Sequence, residues 1–167
     1  MKGLLLFFVL LIVIQTKAVD VRSDFHKGMF EEDQLEDISE SNSYPNTSLV
    51  LAYKGICKTM LADYMYMPTS KLSYFNDGKA DIEKAIGAQP KNPELRYLRL
   101  LVQLNAPFFL GYNDEIDADI NFFTKHLSAY KLSKYWKLKF IENIVGTEEL
   151  TSSQRAKINT LKTSLNG

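Results

Sequence analysis

Residues 91–112, KNPELRYLRLLVQLNAPFFLGY, contain a helix that is apolar on almost every side. Leu95, Tyr97, Leu98, Leu100, Leu101, Val102 and Leu104 cover most of its circumference. A helix that is hydrophobic nearly all round is stable only when other elements surround it. Its limits are written locally. Asn92 can cap the first turn, Pro93 suits a first-turn position whose N–H would go unused, and Pro107 excludes helix at Ala106. The rest of the chain must therefore supply the walls around this segment.

A narrow polar stripe interrupts it. At 100° per residue, Arg99 lies about 60° and Gln103 about 20° from Arg96, so the three share one face. Two roles fit Arg96, Arg99 and Gln103. They form an internal ion-pair stripe with acids such as Glu83, Glu94, Asp114 or Asp119, or they line an open groove whose guanidinium forks grip a partner's carboxylate. Internal pairing is the expectation, because long Arg stems suit a core.

The walls read as helices. Apolar residues recur at helical spacing over Phe25–Ile38, Asn46–Tyr64, Ser70–Gln89, Asn113–Tyr130, Ser133–Val145 and Ser152–Leu165. The breaks SESNSYPN and MYMPTS carry Ser, Asn and Pro. No stretch alternates as a strand would. The expectation is an all-α fold of about six or seven helices in antiparallel hairpins. Its buried sides would include Leu49, Ala52, Tyr53, Ile56 and Met60, then Leu72, Phe75, Ile82, Ala85 and Ile86. Phe25–Ile38, crowded with acids, reads as a single exposed first helix.

MKGLLLFFVLLIVIQTKA has a Lys2 n-region, an apolar run from Leu4 to Ile14, and small residues Thr16 and Ala18 before a cut after Ala18. This is the pattern of a secretory signal peptide. An apolar run this short falls below the ~20 residues that span a bilayer, so no stable membrane insertion is expected after cleavage. The chain divides into a signal peptide at 1–18, an acidic helix and linker at 19–45, and a helical-hairpin domain at 46–167. Expected localisation is exported, periplasmic or secreted.

Two of the 20 basic residues, Lys2 and Lys17, precede the cut, which leaves 18 against 20 acidic ones and a formal charge of −2. That balance gives nucleic acid binding no electrostatic support. Asp20–Glu40 is acidic and Lys125–Lys162 basic, which reads as two solvated faces. The lone Cys57 excludes an intramolecular disulfide and reads as a small buried hydrophobe beside Ile56 and Met60.

Signals of chemistry are scarce. His26 and His126 read as surface or capping residues, and no zinc-ligand spacing or phosphate-cradling loop appears. A Cys57–His126 nucleophile pair has no local support. In NDEIDADINFFT, Asn113, Glu115, Asp117 and Asp119 alternate as a calcium loop would. Ala118 and Thr124, however, stand where such a loop needs Gly and Glu, and acids at a helix start are explained by its dipole. No cofactor or metal is expected. The cluster Tyr64, Met65, Tyr66, Met67, Tyr74 and Phe75 fits either a core or a binding surface, with core packing expected; Tyr135 and Trp136 pose the same choice.

Gly78, Ile82, Ala85 and Pro90, with Leu51 and Gly55 ahead of them, resemble one helix pair of a tetratricopeptide repeat. The physics of that pattern is close helix approach at the small residues, a large residue in the groove, and a proline stop. The break MYMPTSKL is longer than the standard repeat's. The run from Tyr53 to Tyr112 also resembles small exported proteins of Bacteroidetes. Tyr53, Gly55, Pro68, Lys71, Leu72, Ile82, Ala85, Asn92, Glu94, Arg96, Leu98, Arg99 and Leu110–Tyr112 carry the likeness. That family brings no established activity; it implies an exported, all-helical, tetratricopeptide-like protein.

The functional expectation is a non-catalytic adaptor that binds a protein or peptide. The alternatives are an envelope enzyme with dispersed active-site residues, marked by a deep polar pocket, and a self-associating structural component, marked by a large exposed apolar patch.

Overall fold

Side-chain caps set the starts of five helices, Asn92 among them as its place before Pro93 implies. The structure, a computed structural model, describes residues 20–29 and 31–167. The expected signal peptide lies outside the described residues. Among them the chain is all-α, with eight α-helices, two short 3₁₀ turns and no strand.

The helices are α1 Val21–Gly28, α2 Glu32–Glu40, α3 Ser48–Leu61, α4 Pro68–Ala88, α5 Pro93–Gln103, α6 Ile116–His126, α7 Lys134–Val145 and α8 Ser152–Asn166. The side chains of Asp20, Thr47, Asn92, Ser133 and Thr151 each accept a backbone N–H at a helix start. Thr151 and Gln154 complete a reciprocal capping box at α8. The 3₁₀ turn Ala62–Tyr64 extends α3, and Phe108–Leu110 follows Pro107. Gly111 takes φ +59°, which an L side chain rarely adopts.

The expected exposed helix over 25–38 is instead two helices folded back on each other. On one straight helix Phe25 and Ile38 would lie about 140° apart, so a single face could not bury both. The turn after Gly28 resolves this, and Phe25, Leu35 and Ile38 are all 0 % exposed. A Cβ on Gly28 would stand 2.7 Å from Gln34 Cβ, so the close return needs glycine there. Val21, Phe25, Leu35 and Ile38 belong to the same core as the buried apolar residues of 46–167.

α3 and α4 form the closest hairpin. A Cβ on Gly55 would lie 2.7 Å from the Gly78 carbonyl oxygen, and one on Gly78 would lie 2.8 Å from the Thr59 nitrogen. The backbones touch here because neither residue has a side chain. Ile82 and Ala85 continue the contact, both fully buried.

α1, α3, α5 and α7 meet on the inside. Arg22 of α1 reaches Glu94 of α5 and lies over the Trp136 ring of α7; one turn later, His26 meets Tyr97 of α5 and Phe140 of α7. The shared order means α1, α5 and α7 run parallel. α3 enters the same cluster through Tyr53, whose hydroxyl donates to Glu94 at 2.8 Å. α2, α4, α6 and α8 are the return helices.

Candidate functional site

α5 is enclosed as its composition demands, and of its polar stripe Arg99 and Gln103 are buried and Arg96 partly so. Arg99 is 5 % exposed. Its Nε donates to Asp119 Oδ2 at 2.6 Å and its Nη2 to Oδ1 at 2.7 Å, a forked pair between α5 and α6. Its Nη1 donates to both Glu83 oxygens, at 3.1 and 3.0 Å, tying in α4. Tyr112 donates to Glu83 at 2.6 Å, and the Lys79 ammonium stands 4.6 Å from the Tyr112 ring centroid. Arg96 reaches Asp119 at 3.4 Å and covers the Phe122 ring at 5.2 Å. Two of the four acids expected as partners, Glu83 and Asp119, do the pairing. Burial raises the Asp119 carboxyl above the ordinary range, against the pull of Arg99 and Arg96 toward the charged form. Gln103, 1 % exposed, has neither side-chain polar atom hydrogen-bonded within the protein. Of the two roles open to the stripe, Arg99 takes the internal one.

A second buried charge lies on α5, and sequence spacing did not reveal its partner. Glu94 is 0 % exposed at its side chain. Arg22 Nε donates to its Oε1 at 2.6 Å and Arg22 Nη2 to its Oε2 at 2.8 Å. The two residues are 72 positions apart, and the signal that could have flagged them is an acid at the first turn of an apolar helix. Above this pair lies an aromatic cage. Phe25 and Tyr53 rings lie 5.4 Å apart, and Tyr97 and Phe140 stack at 4.1 Å. His26 is not the expected surface or capping residue. Half-buried, it sits 5.2 Å from the Trp136 ring and 5.6 Å from Phe140, with Nε2 3.1 Å from the Tyr97 hydroxyl. Burial lowers it to about 4, helped by Lys139 and Arg22. Asn143 also donates to the Tyr97 hydroxyl, at 2.7 Å.

The aromatic cluster around Pro68 is not core, apart from Phe75. Tyr66 is 94 % exposed and Met67 54 %; Tyr64, Leu72 and Tyr74 are also exposed. Phe108 and Phe109, at 85 % and 84 %, add to the exposed apolar surface. The turn leading into α4 and the connector leaving α5 share one end of the bundle, because α3 and α5 point the same way. The edge-on contact of Phe75 with Tyr112, at 6.1 Å, ties the start of α4 to that connector. Tyr135 is exposed at the start of α7, whereas Trp136 is partly buried against α1.

The remaining candidates separate. Cys57 is buried, and burial pushes its thiol up to about 12, the wrong direction for a nucleophile. His126 lies against Phe122. Asp117 accepts from Gln154, Glu115 lies 3.8 Å from Arg99, and Asp119 belongs to the buried pair, so these carboxylates face different partners. Among the described residues no cluster of His, Cys, Asp or Glu is arranged to hold a metal, and no helix is long and apolar enough to cross a membrane.

Fold and site together define an all-helical hairpin protein with a charged and aromatic interior and an aromatic end. No protein-family model matches the chain, and no curated protein and no solved structure is measurably similar to it.

Proposed function

We propose that this chain is an exported, non-catalytic helical adaptor that holds a protein or peptide partner in the cell envelope, of the tetratricopeptide-like kind that its sequence resembles. The observation that carries the reading is the aromatic end. Tyr66, Met67, Phe108 and Phe109 are large apolar side chains, each more than half exposed and grouped at one end of the bundle. Exposed aromatic and Met side chains in a group mark interaction surfaces. Arg99 and Arg22 are committed to internal carboxylates, so neither is free to grip a partner's carboxylate, and the reading rests on aromatic contact. Export, the signal peptide and the tetratricopeptide relation belong to this proposal.

The same patch favours a second reading, self-association into an envelope structure. One experiment separates them. Purified mature chain and a Tyr66→Ser, Phe108→Ser, Phe109→Ser variant are compared by light scattering and then used as bait in native envelope extract. The substitutions fall at exposed positions, so helicity and Tm should hold. A monomeric wild type that retains a protein which the variant loses supports the adaptor. A wild type that forms oligomers while the variant stays monomeric supports self-association. Identical behaviour of the two chains in both assays refutes a binding role for this end.

A further inference from the structure

α1 is seated on the inner face of the hairpin array as a ligand would be. Its ring contacts and its forked ion pair go to α3, α5 and α7, the first helices of the three hairpins that follow. Phe25 meets Tyr53, His26 meets Tyr97, Trp136 and Phe140, and Arg22 lies over Trp136. Beneath it is a carboxylate with a specific need. Glu94 has no exposed side-chain surface, and Arg22 is the cation in contact with it among the described residues. Tyr53 supplies a further hydrogen bond at 2.8 Å but no charge. Without α1, Glu94 would face the inner groove as an unpaired acid flanked by Tyr53, Tyr97, Trp136 and Phe140. An eight-residue helix is not stable alone in water, so α1 is helical because it is docked.

We infer that the inner face of α3, α5 and α7 is a second binding surface, one that takes an amphipathic helix presenting an arginine and, three residues on, an aromatic, with α1 as its resident intrachain occupant. The guanidinium fork answers both oxygens of Glu94, and the aromatic fills the cage one turn above. A partner helix with the same two features competes with α1 for the site. This rests on the reading of the chain as a binding protein but uses a different surface from the aromatic end.

The test exploits Trp136, the single tryptophan of the chain, which lies against Arg22 and His26. A protease recognition sequence is inserted in the turn between α1 and α2 of the mature chain. The probe is a labelled peptide of residues 19–29. After cleavage the peptide should exchange with the severed α1, binding saturably and shifting Trp136 emission, while the uncut chain takes up none. Arg22→Ala in the peptide should weaken binding by about tenfold or more, as loss of a charge-assisted fork requires. An uncut Arg22→Ala, Phe25→Ala chain, which needs no insertion, should bind the wild-type peptide in trans. Three outcomes overturn the inference. They are a severed α1 that never exchanges, a chain that loses helicity throughout once α1 is cut or substituted, and uncut copies that exchange α1 to form dimers, which would make a second copy the occupant. Phe108→Ser, Phe109→Ser should leave peptide binding unchanged, so failure of the aromatic-end reading and failure of this one give different results.

Discussion

Arg99→Ala should be the most damaging single change among the polar residues of α5. The side chain is 7 % exposed and makes two short bonds to Asp119, whose own side chain is 2 % exposed. Removing it leaves that carboxylate with Arg96 at 3.4 Å as its remaining cation, and leaves Glu83 with Tyr112. Breaking a buried pair by deleting one partner costs ~3–5 kcal/mol. Arg96 survives beside Asp119, and the Glu83 side chain is 38 % exposed and recovers water, so the loss should fall near the lower end, ~3 kcal/mol. For a chain of this length that lowers Tm by roughly 6–12 °C. Denaturant unfolding followed by far-UV circular dichroism measures it, with an unchanged slope showing that the folded state is intact. Adding Asp119→Asn removes the stranded charge, so the double variant should recover about 1 kcal/mol or more relative to additivity. A loss below ~1 kcal/mol, the scale of an exposed pair, would refute the buried network as the reason this stripe exists.

Gly78→Ala should destabilise by about 1–3 kcal/mol through overpacking against the α3 backbone, whereas Gly87→Ala, with nothing within 4 Å of the new Cβ, should stabilise by up to about 1 kcal/mol; thermal melts of the two compare them directly. His26 is held near 4 while the unfolded chain titrates near 6.5, so only the unfolded state takes up the proton between those values. The neutral-histidine contribution is therefore complete above about pH 6.5 and lost as pH falls toward 4, amounting to about 2 kcal/mol once partial exposure is discounted. Its cage sets the scale: Tyr53, Tyr97, Trp136 and Phe140 surround the ring, with Arg22 and Lys139 nearby and Glu94 on the opposing α5. The difference in stability between wild type and His26→Gln across that range isolates the imidazole from the carboxylates that titrate there. Cys57, buried with its thiol near 12, should react with a thiol reagent only at the rate of unfolding, and its labelling should accelerate in step with added denaturant.

Much of the fold was legible because its signals are local. Asn92 caps α5 from its own side chain, Pro93 and Pro68 start helices where their missing N–H costs nothing, and Ser133 and Thr151 do the same work for α7 and α8. Gly55 and Gly78 announced a close hairpin because only a missing side chain permits that approach. The failures share a different cause. Tyr66, Tyr74 and Leu72 have the composition and spacing of core residues yet are exposed. An aromatic on a helix is equally apolar whether or not a neighbour covers it, and covering is decided by how many helices the chain has left to pack.

The sequence by itself determined the six helices α3–α8, their limits to within a few residues, and the demand that α5 be enclosed with its arginines answered. Periodicity, caps and prolines act over one to four residues, so no tertiary information is needed to read them. Only the tertiary structure decided which acid answers which arginine. Arg99 takes Asp119 and Glu83 across two helices, and Glu94, as close in sequence, pairs with Arg22 72 positions away. A guanidinium specifies the chemistry of its partner but not its address; the address depends on which helices are brought side by side. For the same reason, 25–38 reads as one exposed acidic helix in sequence, while in space α1 is seated against the inner helices. One buried phenylalanine and one forked ion pair hold it there, and neither is visible until the groove that receives them exists.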